Sequence, residues 1–130
     1  MIGIVIVAHG GLAREYLSAV EHVVGAQGGI MAVAVEGMDD RAGKEDEICE
    51  AADAVDTGDG VVVVTDIFGG SPSNLSLRAG RPANRRILYG ANLPMLIKLA
   101  KSRHRPVAEA VRAALDSGRK YIDSHNASSD

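Results

Sequence analysis

Ile2-Gly3-Ile4-Val5-Ile6-Val7-Ala8-His9-Gly10-Gly11 decides the reading of this chain, together with Val61-Val62-Val63-Val64-Thr65-Asp66-Ile67-Phe68-Gly69-Gly70-Ser71-Pro72-Ser73-Asn74. Each stretch is an apolar run without alternation, which is the pattern of a strand covered on both faces in a parallel sheet. Each run ends in a glycine-rich loop. Between and after the two runs, apolar residues recur at helical spacing: Leu12, Tyr16, Ala19, Val20, Val23 and Val24, then Ile48, Ala51, Ala52 and Val55. Alternating strands and helices imply an α/β fold of three layers, α/β/α, with a mostly parallel sheet.

Further strands are expected over 30–35 and 85–89, and helices over about 41–56 and 72–79. Gly25 is expected to end the first helix, with Ser71 as N-cap and Pro72 at the first turn of the helix that follows the second loop. Gly90-Ala91-Asn92-Leu93-Pro94 reads as a third loop at the same sheet edge. It leads into a helix lined by Leu96, Leu99 and Ala100. Pro106 opens the last helix, Gly118 is expected to stop it, and Lys120-Tyr121-Ile122-Asp123 suits a short fifth strand. Residues 1–123 thus read as one domain, and the polar tail 124–130 as disordered.

Right-handed crossovers and the simplest packing give the sheet order 2-1-3-4. The topological switch, where ligands bind in such sheets, then lies between strands one and three. An order of 1-2-3-4 would separate the two glycine loops. In the first arrangement they meet, and their contents are chemically complementary. Neutral imidazole is a nucleophile near neutral pH. A carboxylate bonded to one ring nitrogen fixes the tautomer in which the other can attack. Asp66, ending strand three, is placed to do this for His9. Backbone N–H groups of Gly10, Gly11, Gly69, Gly70 and Ser71 can bind the equatorial oxygens of a transferred phosphoryl group. The Ser71 hydroxyl can either cap its helix or touch that group. No lysine of the nucleotide-binding kind follows the glycines.

Composition narrows the function classes. The chain has 130 residues, a formal net charge of −3, 3% aromatic residues and no Trp. That argues against a nucleic-acid binder, which needs a basic face or stacking platforms. One cysteine, Cys49, leaves no internal disulfide and no cysteine-based metal cluster, so it reads as a packing residue without a basic neighbour. No metal and no cofactor is expected. No apolar run reaches the ~18 residues of a membrane span. The first residues carry neither a basic region nor a cleavage site, so a cytoplasmic protein is expected. Glu45-Asp46-Glu47 reads as an exposed helix face, Lys101 to Arg105 as a solvated loop, and His22 as a surface or packing residue.

On Ala8-His9-Gly10, on Asp66 through Pro72 with Asn74, on Gly90 through Leu96 and on Ser117-Gly118-Arg119, the chain resembles the enzyme IIA domain of the mannose family of the bacterial phosphoenolpyruvate-dependent sugar phosphotransferase system. The likeness covers nearly all 130 residues. It implies a phosphocarrier in which His9 accepts a phosphoryl group from the histidine-containing phosphocarrier protein HPr and passes it to a IIB protein. Asp66 would orient the ring, Ser71 would help form the phosphoryl site, and family likeness favours Nε2 as the phosphorylated nitrogen. The resemblance also implies a homodimer formed by exchange of an antiparallel C-terminal strand, at residues 119–123 here, and possible association with a membrane permease without insertion. Ser73 stands where a bulky apolar residue is common, which is expected to alter the partner-facing surface. A regulatory IIA, the phosphocarrier subunit of phosphoenolpyruvate-dependent dihydroxyacetone kinase and, from another class, a tetrapyrrole metal chelatase are the competing readings. The chelatase would require a second histidine at a strand end.

Overall fold

A computed structural model describes residues 1–129. Its elements are β1 (Gly3–His9), α1 (Leu12–Val24), β2 (Ile30–Val35), α2 (Arg41–Val55), β3 (Val61–Thr65), α3 (Ser71–Leu75), β4 (Arg85–Leu88), α4 (Leu93–Lys101) and α5 (Val107–Lys120), with a 3₁₀ turn at Ala127–Ser129. The four strands form one parallel sheet in the order β2-β1-β3-β4. The expected switch point between β1 and β3 is therefore present. No helix among the described residues is long and apolar enough to cross a membrane.

The unalternating apolar runs supply two cores, one on each face of the sheet. Ile2, Ile4, Ile6 and Ala8 join Val62, Val64 and Leu88 under α1, α4 and α5. Val5, Val7, Val61 and Val63 point the other way, against Ile48, Ala51, Ala52 and Val55 of α2 and against Leu75 and Ala79. Val5, Val7, Val61, Val62, Val63 and Val64 are all fully buried. Each such side chain stabilises the fold by about 1.5–3 kcal/mol. The two central strands are thereby the most firmly fixed parts of the chain, and both glycine loops leave from their ends.

Several expected details differ. The helix after the second loop is shorter than 72–79: α3 stops at Leu75 and the chain continues in turns, Ser76 N–H to Ser73 O and Gly80 N–H to Ser76 O. Its N-cap is Gly70, not Ser71, and Pro72 is its second residue. Gly118 does not stop α5. It is buried within it, where a Cβ would lie 3.0 Å from Met95 Cβ, and its carbonyl accepts a 2.9 Å bond from Asn92 Nδ2. The glycine serves close packing of α5 on α4. The fifth strand is likewise not formed. Arg119 and Lys120 complete α5, and Ile122 N–H turns back toward Arg119 O, so among the described residues this segment joins no sheet. In the expected tail 124–130, residues 124–128 are exposed, while Asp130 lies outside the described residues.

The Lys101–Arg105 turn is not simply solvated. Arg103 is 5% exposed and binds Ile2 O, Gly29 O and Gln27 Oε1. Cys49 does meet a basic neighbour: Arg78 Nε lies 3.2 Å from its sulfur while the same guanidinium pairs with Asp46. The acidic run is thus partly tied down, with Lys44 on Glu47 at 2.7 Å.

The close approach of β1 to α2 gives a test. A Cβ on Gly3 would lie 2.3 Å from Val55 O and 2.8 Å from Val55 C, both backbone atoms that cannot rotate away. Gly3→Ala is expected to destabilise the protein by about 1–3 kcal/mol, as overpacking does in tight cores, and urea unfolding measures it.

Candidate active site

The register of the sheet builds the site. Val7 lies opposite Thr65, so the residues that follow, Ala8-His9 and Asp66, leave adjacent strands together. Gly10 follows with φ +56°, a left-handed turn that glycine makes without strain, and its N–H donates to Val35 O at 3.0 Å. This turn sends the chain into α1 and leaves the His9 ring at the rim, half exposed at 51%.

Asp66 is the fixed partner, only 10% exposed. Its Oδ2 receives the His9 backbone N–H at 3.0 Å and faces His9 Nδ1 at 2.7 Å. Its Oδ1 receives the Ile67 N–H at 2.9 Å. Burial opposes its charge. The bonds from the His9 backbone, the His9 ring and the Ile67 amide outweigh that burial and hold the carboxyl below its usual range. An ionised carboxylate only accepts, so Nδ1 carries the proton and Nε2 presents its lone pair outward.

The second glycine loop closes around the ring. A Cβ on Gly70 would lie 3.4 Å from His9 Cε1, so the Gly70 backbone sits beside the imidazole. Gly69 turns the chain at φ +84°. Its N–H approaches the Ser73 hydroxyl at 3.4 Å, and the amides of Gly11, Gly70 and Ser71 make no hydrogen bond among the described residues. The Ser71 side chain makes no capping bond and is exposed. Of the five backbone donors expected from sequence, Gly10 is already engaged, Gly69 is weakly engaged, and Gly11, Gly70 and Ser71 are open. Ser73 is 2% exposed and so does not reach any partner-facing surface.

Sequence reasoning missed two supports. Tyr16 on α1 donates its hydroxyl to Ala91 O at 3.1 Å, and the Ala91 N–H donates to Thr65 O at 3.0 Å. The third loop is thereby anchored beside the residue that precedes Asp66. Burial, and then the Asp66 charge, push the Tyr16 hydroxyl above its ordinary pKa. Phe68, 78% exposed, stacks edge-on against Tyr89 at 4.9 Å. The helical spacing of Tyr16 marked it only as core, and nothing local signals a bond to a loop so distant in sequence. Among the described residues no three His, Cys, Asp or Glu side chains gather as a metal site. His22 and His104 lie at the last turn of α1 and just after α4, and neither stands at the carboxyl end of a strand.

The lowered Asp66 carboxyl makes a signed prediction. A group whose pKa falls on folding stabilises above its unfolded value, about 3.9, and loses that contribution as pH falls through the folded value. At pH 7 Asp66→Asn is expected to cost about 1.5–3 kcal/mol, the range for hydrogen bonds to a charged group. The gap from the natural protein should shrink as the pH drops below about 4. Paired urea titrations at pH 7 and pH 3 measure it, and a gap that does not change with pH contradicts the assignment.

Comparison with known proteins agrees with this geometry. The family model described as PTS system fructose IIA component matches residues 3–116. Among solved structures, the phosphotransferase system component EIIA from Streptococcus agalactiae superposes with a TM-score of 0.80 at 26% identity, covering 95% of this chain and 97% of its own. A PTS IIA protein associated with the fucose utilization operon of Streptococcus pneumoniae gives 0.79 at 26%, covering 98% and 93%. The mannose/sorbose specific IIA subunit from Enterococcus faecalis gives 0.82 at 25%, covering 96% and 95%. The family match spans the whole sheet and both glycine loops, and the chain belongs to the mannose-type IIA family, the phosphoryl carriers of the sugar phosphotransferase system.

Proposed function

We propose that His9 is the phosphoryl acceptor, taking the group from phospho-HPr and yielding it to a IIB protein. The observation that supports this most is the 2.7 Å contact between His9 Nδ1 and Asp66 Oδ2 beneath a half-exposed ring. In the forward step the Nε2 lone pair attacks phosphorus. The bond between phosphorus and the donor nitrogen breaks, and its electron pair returns to the donor ring. The Nδ1 proton stays on His9, where Asp66 offsets the positive charge that spreads through the phosphorylated ring. The second transfer runs the same step with His9 as leaving group, so no proton is consumed over the cycle.

The open amides of Gly11, Gly70 and Ser71, with the Ser71 hydroxyl, bind the equatorial oxygens in this reading. Gly10 and Gly69 contribute the left-handed turns that aim those amides. Among the described residues no lysine or arginine is hydrogen-bonded to His9 or Asp66. This suits a carrier, since a strong cation would bind the phosphoryl group and retard its release.

The proposed carrier works as a homodimer. Among the described residues β4 pairs on one side only, with β3, and leaves its other edge open. Tyr121 and Ile122, both large and apolar, stand 63% and 73% exposed just beyond α5. Extending residues 121–123 onto the partner's β4 would cover an edge that is otherwise open to aggregation.

Two experiments test this reading. In an assay with phosphoenolpyruvate, enzyme I and HPr, His9→Ala is expected to take up no phosphate while unfolding normally, and the label on the natural chain should be acid-labile and alkali-stable. Undiminished labelling of the variant overturns the assignment. In the same assay Asp66→Asn is expected to slow transfer by more than tenfold, though by less than the ~10⁴ seen when the equivalent change is made in a hydrolase triad. Truncation after Lys120 keeps α5 and its bond to Asn92, and is expected to convert a dimer to a monomer or an aggregate. A monomeric mass for the full-length chain in light scattering rejects the exchange.

A further inference from the structure

His9 and Asp66 leave adjacent strands, yet the segments that carry the chain onward diverge. After His9 the chain turns through Gly10 and Gly11 into α1, on the face of the sheet that also holds α4 and α5. Asp66 follows Thr65, the last residue of β3, which extends past the pairing with β4: that register ends at Val64 opposite Leu88. On this side the strand end that presents the carboxylate needs support from outside the ladder.

Tyr16 supplies that support. Its ring packs on the apolar core under α1, α4 and α5. Its hydroxyl donates to Ala91 O at 3.1 Å, and the Ala91 amide donates to Thr65 O at 3.0 Å. Thr65 is fully buried, and its own hydroxyl donates to Leu88 O at 3.4 Å. The next loop residue, Asn92, accepts from the Met95 amide at 3.0 Å and donates to Gly118 O at 2.9 Å, which ties the loop to α4 and α5. The contacts form a closed circuit. It runs from His9 into α1 and Tyr16, across to Ala91, on to Thr65 and along one peptide to Asp66. Asp66 closes it by accepting from the His9 amide and facing the His9 ring. Burial, and then the Asp66 charge, push the Tyr16 hydroxyl above its ordinary pKa, so it is a neutral donor within the field of that carboxylate. A phenylalanine would fill the same apolar space without enclosing a hydroxyl, which is costly to bury unless bonded. The oxygen therefore has a task that the ring does not perform.

We propose that Tyr16 is a positioning residue for the His9–Asp66 pair. Through the Ala91 peptide its hydroxyl fixes the Thr65–Asp66 peptide, and with it the approach of Asp66 Oδ2 to His9 Nδ1. The effect on transfer rate rests on the reading of His9 as the phosphoryl acceptor; the effect on the imidazole does not.

Tyr16→Phe in the full chain keeps the ring and removes only the hydroxyl. A misplacement of about 1 Å can slow a reaction about 100-fold, and loss of this more distant bond is expected to slow transfer from saturating phospho-HPr about three- to tenfold. The half-saturating donor concentration is expected to stay within about twofold, as for a group that acts on the chemical step and not on docking. Val20→Ala controls for general loosening. Val20 lies on the same helix and in the same core, 2% exposed, and its truncation is expected to lower stability in urea while leaving the rate unchanged. Long-range ¹⁵N–¹H spectra of the neutral His9 ring give a readout that needs no phosphate. The natural chain is expected to carry the proton on Nδ1, and Tyr16→Phe to show a mixture with Nε2. If the natural chain takes no phosphate on His9 while the ring spectrum changes in Tyr16→Phe, the acceptor reading fails and the positioning role stands. A ring spectrum identical in Tyr16→Phe overturns the proposal. So does an unchanged rate in a chain that labels at His9, a weaker half-saturation in place of the rate loss, or equal slowing in Val20→Ala.

Discussion

Direct pairing of β1 with β3 is the constraint on which the site depends. Val7 faces Thr65 across that pair, so the next residues of each strand emerge side by side at the sheet edge. Had β2 stood between them, the imidazole and the carboxylate would be separated by a strand spacing of about 4.8 Å more, beyond hydrogen-bond reach. The pairing is itself secured by side chains buried on both faces of the two strands. Apolar burial thereby sets the geometry of two polar groups that touch almost none of the core.

Within that frame Asp66 has conflicting demands. It must be enclosed enough to hold one geometry, yet ionised. Enclosure alone would raise its pKa and risk a neutral acid that donates to Nδ1, which puts the ring proton on Nε2 and removes the lone pair used in the proposed transfer. Two backbone amides, from His9 and Ile67, resolve the conflict. Because these donors come from the two strand ends themselves, the charge state of the acid and the position of the base have one structural origin. A distortion that moved His9 from Asp66 would also weaken the bonds that keep Asp66 ionised.

The central architecture was legible in the sequence because a long unalternating apolar run, in a chain of this size, fits a strand covered on both faces and little else. The pairing of His9 with Asp66 was legible for the same reason: each stands immediately after such a run. The donors were harder to assign. Gly10 and Gly11 are identical residues in the same loop, yet one N–H is engaged by Val35 O and the other is open, which only the tertiary path decides. Ser73, expected from the family resemblance to alter the partner-facing surface, is buried, its hydroxyl near the Gly69 amide. Gly118 had the position of a helix terminator. Its actual role, admitting Met95 and Asn92 of the α4 region, depends on a helix crossing that no local pattern encodes.

Arg85 and Arg103 show why the two ends of the sheet can differ so much in character. Arg85 at the start of β4 ties Asp53, Asp56 and Ala79 O together. Arg103 joins Ile2 O to Gly29 O, the residues that lead into β1 and β2. Both therefore fix strand beginnings with buried charge, whose loss on one side leaves polar partners without water. Strand ends at the opposite edge are fixed by backbone amides and glycine turns, which leave a half-exposed imidazole and open donors. Among the described residues no long cationic side chain is hydrogen-bonded to His9 or Asp66 at that edge. Placing such side chains at the floor secures the strands and leaves the His9 crevice to short groups, as the proposed carrier role requires.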